Sequence, residues 1–155
     1  MIKICHLTSV HPRFDSRIFR KECKSLQSAG FDVSLIVADG KGDEVFEQIS
    51  VFDVGVEIGR INRIFKIPTK VRKRAVELNC EVYHFHDPEL IFVGLKLKRL
   101  GKKVIFDFNY RPSLNQETNQ KQLIHDYHTI LKQADIVFGS SRDISNLFEL
   151  VDQSE

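Results

Sequence analysis

The feature that most constrains this chain is its regular alternation of short, β-branched apolar runs with segments whose apolar residues recur every three or four positions. Residues 1–7 alternate toward a short buried strand, and Pro12 in the following loop forbids continuation of the ladder. Ile18, Phe19, Cys23, Leu26 and Ala29 then fall on one helical face, with Asp15 or Ser16 able to cap the start and Gly30 suited to the left-handed stop. Residues 31–38 read as a second buried strand, closed by the turn composition of Asp39, Gly40, Lys41 and Gly42. Strand, helix, strand implies a crossover and a parallel sheet.

The same rhythm runs to the end. Residues 45–59 alternate well enough for a strand near the sheet edge, and a helix is predicted over 69–78 with Pro68 at its entrance. Val82 to Phe85 is the next strand, ended by Asp87-Pro88-Glu89, where Asp suits an N-cap and Pro the first helical position. That helix runs to Leu100 and stops at Gly101, and residues 103–108 are again a strand. A helix with Leu123, Ile124, Tyr127, Ile130, Leu131 and Ala134 on one face follows, then a strand over 136–139 and a final helix with Ile144, Leu147, Phe148 and Val151 inward. The fold class predicted is α/β: a single three-layer α/β/α Rossmann-like domain over residues 1–155, with a mainly parallel, doubly wound sheet of five or six strands.

Composition narrows the classes. With 155 residues, 42% hydrophobic and 28% charged, the chain can bury a sufficient core without disulfides or metal, and is neither low-complexity nor disordered. No apolar stretch approaches a membrane span and the N-terminus carries no signal-peptide pattern, so a cytoplasmic location is expected. Cys5, Cys23 and Cys80 are odd in number and set among apolar neighbours, which reads as reduced, buried packing residues. The net charge of +2 argues against a nucleic-acid binder, yet residues 60–74 carry seven basic side chains and no acidic one, leaving a net −5 elsewhere.

In a doubly wound sheet, ligands bind beyond the carboxyl ends of the strands. The first such loop brings His11, Arg13, Asp15 and Arg17 together without the Gly-rich pattern that dinucleotide or P-loop sites need, and reads as recognition of hydroxyls or phosphate. His84 and His86 stand at strand spacing and so share a side. No third and fourth ligand is indicated by spacing, so no metal is expected; His84 reads as a buried histidine, His86 as pointing into the crevice, and Asp87 as the cap of the next helix.

Residues 6–26, 29–36, 82–90 and 101–107 together resemble the opening of bacterial family 4 glycosyltransferases of the GT-B fold. The resemblance implies the N-terminal, acceptor-side half of a retaining enzyme that moves sugar from a nucleotide donor onto a lipid-linked or saccharide acceptor in surface polysaccharide synthesis. It implies acceptor-binding roles for His11, Arg13, Asp15, Arg17, His86, Asp87, Asn109 and Tyr110. Asn109 and Tyr110 stand where family members usually show a His-Glu pair, so no catalytic residue is assigned. No cofactor is expected, because the donor nucleotide belongs to a C-terminal domain that this sequence does not contain and that a separate subunit of a split enzyme would supply. The alternatives are a non-catalytic interaction or regulatory module derived from such a domain, and a receiver-like signalling domain, which the basic first loop disfavours. Lipid-linked acceptors would place the protein at the inner membrane face, with Arg63, Lys66, Lys70 and Lys73 toward anionic lipid and Ile61, Ile64, Phe65 and Ile67 either inserting or forming the helix's core side.

Overall fold

The computed structural model describes residues 1–108, 129 and 132–139. Its strands are β1 (Lys3–Leu7), β2 (Asp32–Val37), β3 (Glu44–Phe46), β4 (Ile49–Asp53), β5 (Val82–Phe85), β6 (Lys103–Phe108) and β7 (Ile136–Gly139). They form one seven-stranded sheet in the order β3-β4-β2-β1-β5-β6-β7, parallel throughout except for β3 against β4. The predicted Rossmann-like α/β fold is therefore the observed one. The edge strand expected within residues 45–59 is a hairpin, turned by Glu47 and Gln48 with positive φ of 49° and 63°, a left-handed pair that matches the twist of the strands it joins.

Alternation along the strands divides the core into two layers. On one face Cys5, Leu7, Tyr83, Phe85 and Phe106 pack with residues of α2 (Arg60–Leu78) and α3 (Ile91–Arg99). On the other, Val33, Leu35, Val37, Ile49 and Val51 pack under α1, a π-helical Ile18–Cys23 continuing into an α-helical Lys24–Ser28. Asp15 caps α1 as predicted, its Oδ1 accepting from the Arg17 and Ile18 N–H groups at 2.9 Å each. Gly30 and Gly101, with φ of +89° and +79°, close the segments they were expected to close. All three cysteines are free and buried.

Pro68 lies inside α2 rather than at its entrance. A proline in mid-helix leaves the carbonyl four residues back without a donor and costs about 3 kcal/mol. Here that carbonyl belongs to Ile64, within the exposed stretch 62–66, and Thr69 Oγ1 donates to Phe65 O at 3.0 Å. Burial of Ile67, Val71 and Ala75 offsets the loss, at about 1.5–3 kcal/mol for each branched side chain. The helix faces read around Leu123 to Ile130 and around Ile144 to Val151 lie outside the described residues.

Candidate functional site at the β1–β5 crevice

The chain passes from β1 to β2 on one side and from β5 to β6 on the other, so the topological switch point lies between β1 and β5. Their carboxyl ends diverge into the loops after Leu7 and Phe85, which is where such a sheet opens a crevice. Glu22 of α1 and Arg17 just before it lie together at one flank.

Asp87 anchors the crevice. Its Oδ2 accepts from Thr8 Oγ1 (2.8 Å), Ser9 N (2.7 Å) and Ser9 Oγ (3.2 Å), while His11 Nε2 lies 3.4 Å from Oδ1. The expected helix cap is not made: the carboxylate turns back to the first loop, and only the Asp87 backbone carbonyl serves the following turn, through Leu90 N at 2.9 Å. Three donors across the crevice outbid one orphan N–H at the short 3₁₀ turn Pro88–Leu90. Burial works to raise the Asp87 carboxyl, but hydrogen bonds from His11, Ser9 and Thr8 outweigh it and hold it below the usual carboxylate range. The same contact raises His11, with the carboxylates of Asp87 and Asp15 adding to it. His11, Asp15 and Arg17 all keep partial access to solvent.

Beneath them lies a cluster that sequence reasoning found only in part. His6 on β1 stands directly across from His84 on β5, and His86 follows on the same side, with His6 and His86 rings stacked at 5.3 Å. His6 Nδ1 lies 3.0 Å from His86 Nε2, and His86 Nδ1 lies 3.0 Å from Asp107 Oδ2. Arg17 pairs with Asp107 and lies 3.4 Å from Glu22 Oε1. Glu22 Oε2 has no hydrogen-bond donor although it is buried, and it lies 3.7 Å from His6 Nδ1, 3.8 Å from His84 Nδ1 and 3.7 Å from His86 Nε2. Burial lowers all three histidines, with neighbouring histidines and Arg17 adding to the effect on His6 and His86, so the rings are neutral near pH 7; His84 is lowered to about 4. Burial raises Glu22 despite Arg17.

Two expected crevice residues are placed differently. His86 was expected to point into open crevice but is only 2% exposed, because Asp107 and His6 hold it between β1 and β6. Arg13, expected at the rim, is 4% exposed and turns toward the β2–β3 loop. There its Nε and Nη2 donate to the two Asp39 oxygens at 2.7 and 2.5 Å, Nη2 donates to Gly42 O at 3.1 Å, and Nη1 pairs with Glu44. A planar guanidinium meeting a carboxylate edge-on is the geometry that favours such burial. Asn109 and Tyr110 lie outside the described residues.

No family model matches this chain, and no curated protein matches it. Among solved structures, two of sucrose-phosphate synthase from Thermosynechococcus elongatus are similar to it. One has a TM-score of 0.69 at 16% identity, over 94% of this chain and 80% of that one. The other has a TM-score of 0.72 at 13% identity, over 97% of this chain but only 45% of that one. A protein from Enterococcus faecalis described as a 2-keto-3-deoxygluconate kinase is similar over 96% of this chain and 61% of that one, with a TM-score of 0.55 at 22% identity. These likenesses establish the Rossmann-like fold. They do not by themselves assign a chemistry, since one fold serves many.

The residues that sequence reasoning missed are His6, Thr8, Ser9, Glu22 and Asp107. His6 offered a signal: it is the one polar residue in an otherwise apolar strand core. Glu22 offered none, because its helix position is an ordinary one for a solvated carboxylate. The crevice as built presents hydroxyls, carboxylates, the His11 imidazole and the Arg17 guanidinium, all groups that hydrogen-bond polar ligands.

Proposed function

We propose that this chain is the acceptor-side half of a GT-B glycosyltransferase, binding a saccharide or lipid-linked acceptor at the β1–β5 crevice while a second domain or subunit holds the nucleotide sugar. The observation that carries this reading is the group of polar side chains at the switch point, where His11, Asp15, Arg17 and Glu22 reach solvent, His11 is held by buried Asp87 and Arg17 by buried Asp107. Carboxylates, a guanidinium and an imidazole held by buried carboxylates suit hydroxyl recognition, because pre-organised partners lose little freedom on binding. The fold shared with sucrose-phosphate synthase supports a sugar-transferring context. A diphosphate fits poorly here: Glu22, Asp87, Glu89 and Asp107 converge on the crevice, and Arg13 is committed to Asp39 and Glu44. Retention of configuration and a role in surface polysaccharide synthesis complete the reading that the sequence resemblance suggests.

Saturation-transfer NMR against mono- and disaccharides and a short-chain alkyl glycoside tests it. At least one should bind saturably, and His11→Ala and Arg17→Ala should each weaken it about tenfold, about 1.4 kcal/mol, with the circular dichroism unchanged. No saturable binding across the panel, or equal binding by both variants, would overturn the acceptor reading.

The same proposal extends to an anionic membrane surface. Among the described residues no helix is long and apolar enough to cross a membrane. The first turns of α2 are exposed on every side from 62 to 66, with Phe65 71% and the preceding Ile58 90% exposed beside Arg63 and Lys66. Ile67 belongs to the core instead, and Lys66 and Lys70 lie 3.6 and 2.7 Å from Glu57, which trims the charge available to lipid. Exposed apolar side chains interleaved with cations are what an interfacial segment uses.

A further inference from the structure

The His6, Glu22, His84 and His86 cluster bears on more than acceptor recognition. One ligand-type atom from each of these four side chains falls within 4.8 Å of every other, and their sources are three separate elements: β1, α1 and the end of β5. Tetrahedral zinc with bonds of about 2.0–2.1 Å sets neighbouring ligand atoms about 3.3 Å apart. Here His6 Nδ1 and His86 Nε2 are 3.0 Å apart, and Glu22 Oε2 lies 3.7 to 3.8 Å from each of the three ring nitrogens. The four atoms, all within 4.8 Å of one another, are thus grouped at up to somewhat more than the tetrahedral spacing, and an ion would draw them together.

Two further observations point to a cation rather than to a hydrogen-bond network alone. Glu22 Oε2 is buried with no donor although three imidazoles face it. An unpaired carboxylate oxygen in that position is costly, and a cation removes the cost. Beyond the ring, His86 Nδ1 meets Asp107 Oδ2 at 3.0 Å, and Arg17 holds Asp107 in turn. A carboxylate on the far nitrogen fixes the tautomer that leaves Nε2 as a lone pair aimed at the cluster, the outer-shell arrangement that metal-bound histidines use.

We infer that His6 Nδ1, His84 Nδ1, His86 Nε2 and Glu22 Oε2 form a four-coordinate site for a divalent transition metal of the zinc type, with Asp107 as the outer partner of His86. Three neutral imidazoles and one carboxylate favour zinc, cobalt or nickel over magnesium or calcium, which prefer all-oxygen sets. With four protein ligands the site is closed, so the ion ties α1 to the carboxyl ends of β1 and β5 and holds the crevice floor. Occupancy requires His6 to carry its proton on Nε2, because Nδ1 then becomes a ligand.

The test is titration of chelator-stripped protein with Co²⁺ alone, and separately with Zn²⁺ alone, watching the visible spectrum and the melting temperature. One equivalent of Co²⁺ should give the visible bands of tetrahedral nitrogen and oxygen coordination, and Zn²⁺ should raise the melting temperature with saturation at one equivalent. Glu22→Gln, partly exposed and isosteric, should lose the spectrum and the zinc-dependent rise while staying folded. Asp107→Asn should bind about 10–100-fold more weakly. Absence of stoichiometric uptake by the unaltered chain, uptake undiminished in Glu22→Gln, or a near-ultraviolet thiolate band placing the ion on cysteine would each overturn the site. Because the readout is metal uptake, failure here leaves the acceptor reading standing, and loss of acceptor binding leaves this one standing.

Discussion

On one face of β1 and β5, Leu7, Tyr83 and Phe85 pack against α2 and α3; one residue along the same strands, on the other face, His6, His84 and His86 gather with Glu22 and Asp107. The backbone is common to both, and only the parity of the residue differs. The apolar side gains free energy simply by leaving water. The polar side loses solvation and recovers it only where partners are placed, and four buried atoms there, His6 Nε2, Glu22 Oε2, His84 Nε2 and Asp107 Oδ1, have none. Apolar packing and polar clustering are thus separated across a single sheet.

Breaking the apolar side should have the largest effect. Phe85→Ala removes a fully buried ring and should cost about 3–5 kcal/mol in denaturant unfolding. The converse change, Gly94→Ala, sets a Cβ 2.5 Å from Cε1 of Phe85, a fully buried ring stacked on Phe106 at 4.8 Å, and should cost about 1–3 kcal/mol. Arg13→Ala, away from both faces, should cost about 1.5–3 kcal/mol by leaving Asp39 and Glu44 without their guanidinium. A change under 0.5 kcal/mol would return Arg13 to the rim, where sequence alone placed it.

The polar side should reveal itself through pH. An unfolded histidine takes its proton near pH 6.5, whereas folded His84 resists until about 4. Between those values the unfolded chain binds more protons, so stability falls as pH falls, by at most about 1.4 kcal/mol per pH unit for each such histidine. Glu22, raised by burial, binds its proton earlier in the folded state and opposes this trend. Unfolding from pH 7 to pH 4 should therefore show a positive slope that His84→Gln reduces; an identical slope in the variant would mean that His84 titrates as it does in water.

The smallest effect concerns the exposed start of α2. Vesicles containing anionic lipid should retain the protein at low salt and release it at high salt, with about 1 kcal/mol lost for each of Arg63, Lys66, Lys70 and Lys73 changed to Glu. The loss should be least at Lys70, already 2.7 Å from Glu57. Absence of binding at any salt would leave this segment as solvated charge.

Local chemistry alone determined much of this protein. The alternation of Ile4, Cys5 and Leu7 or of Val33, Leu35 and Val37 specifies strands, Asp15 and Gly30 bound α1, and the spacing of His84 and His86 puts both rings on one side. These rest on periods and caps that act within a few residues. What only the tertiary structure decided are meetings across long separations: Arg13 with Asp39 and Glu44, Asp87 with Thr8 and Ser9, and His6 and Glu22 with His84 and His86. These depend on the parallel registers of β1 with β2 and with β5 and on the placement of α1 over the sheet, which no local pattern encodes. Pro68 makes the same point within a helix. Its local preference is to begin one, and it sits inside α2 because burial of Ile67, Val71 and Ala75 against the sheet outweighs that preference.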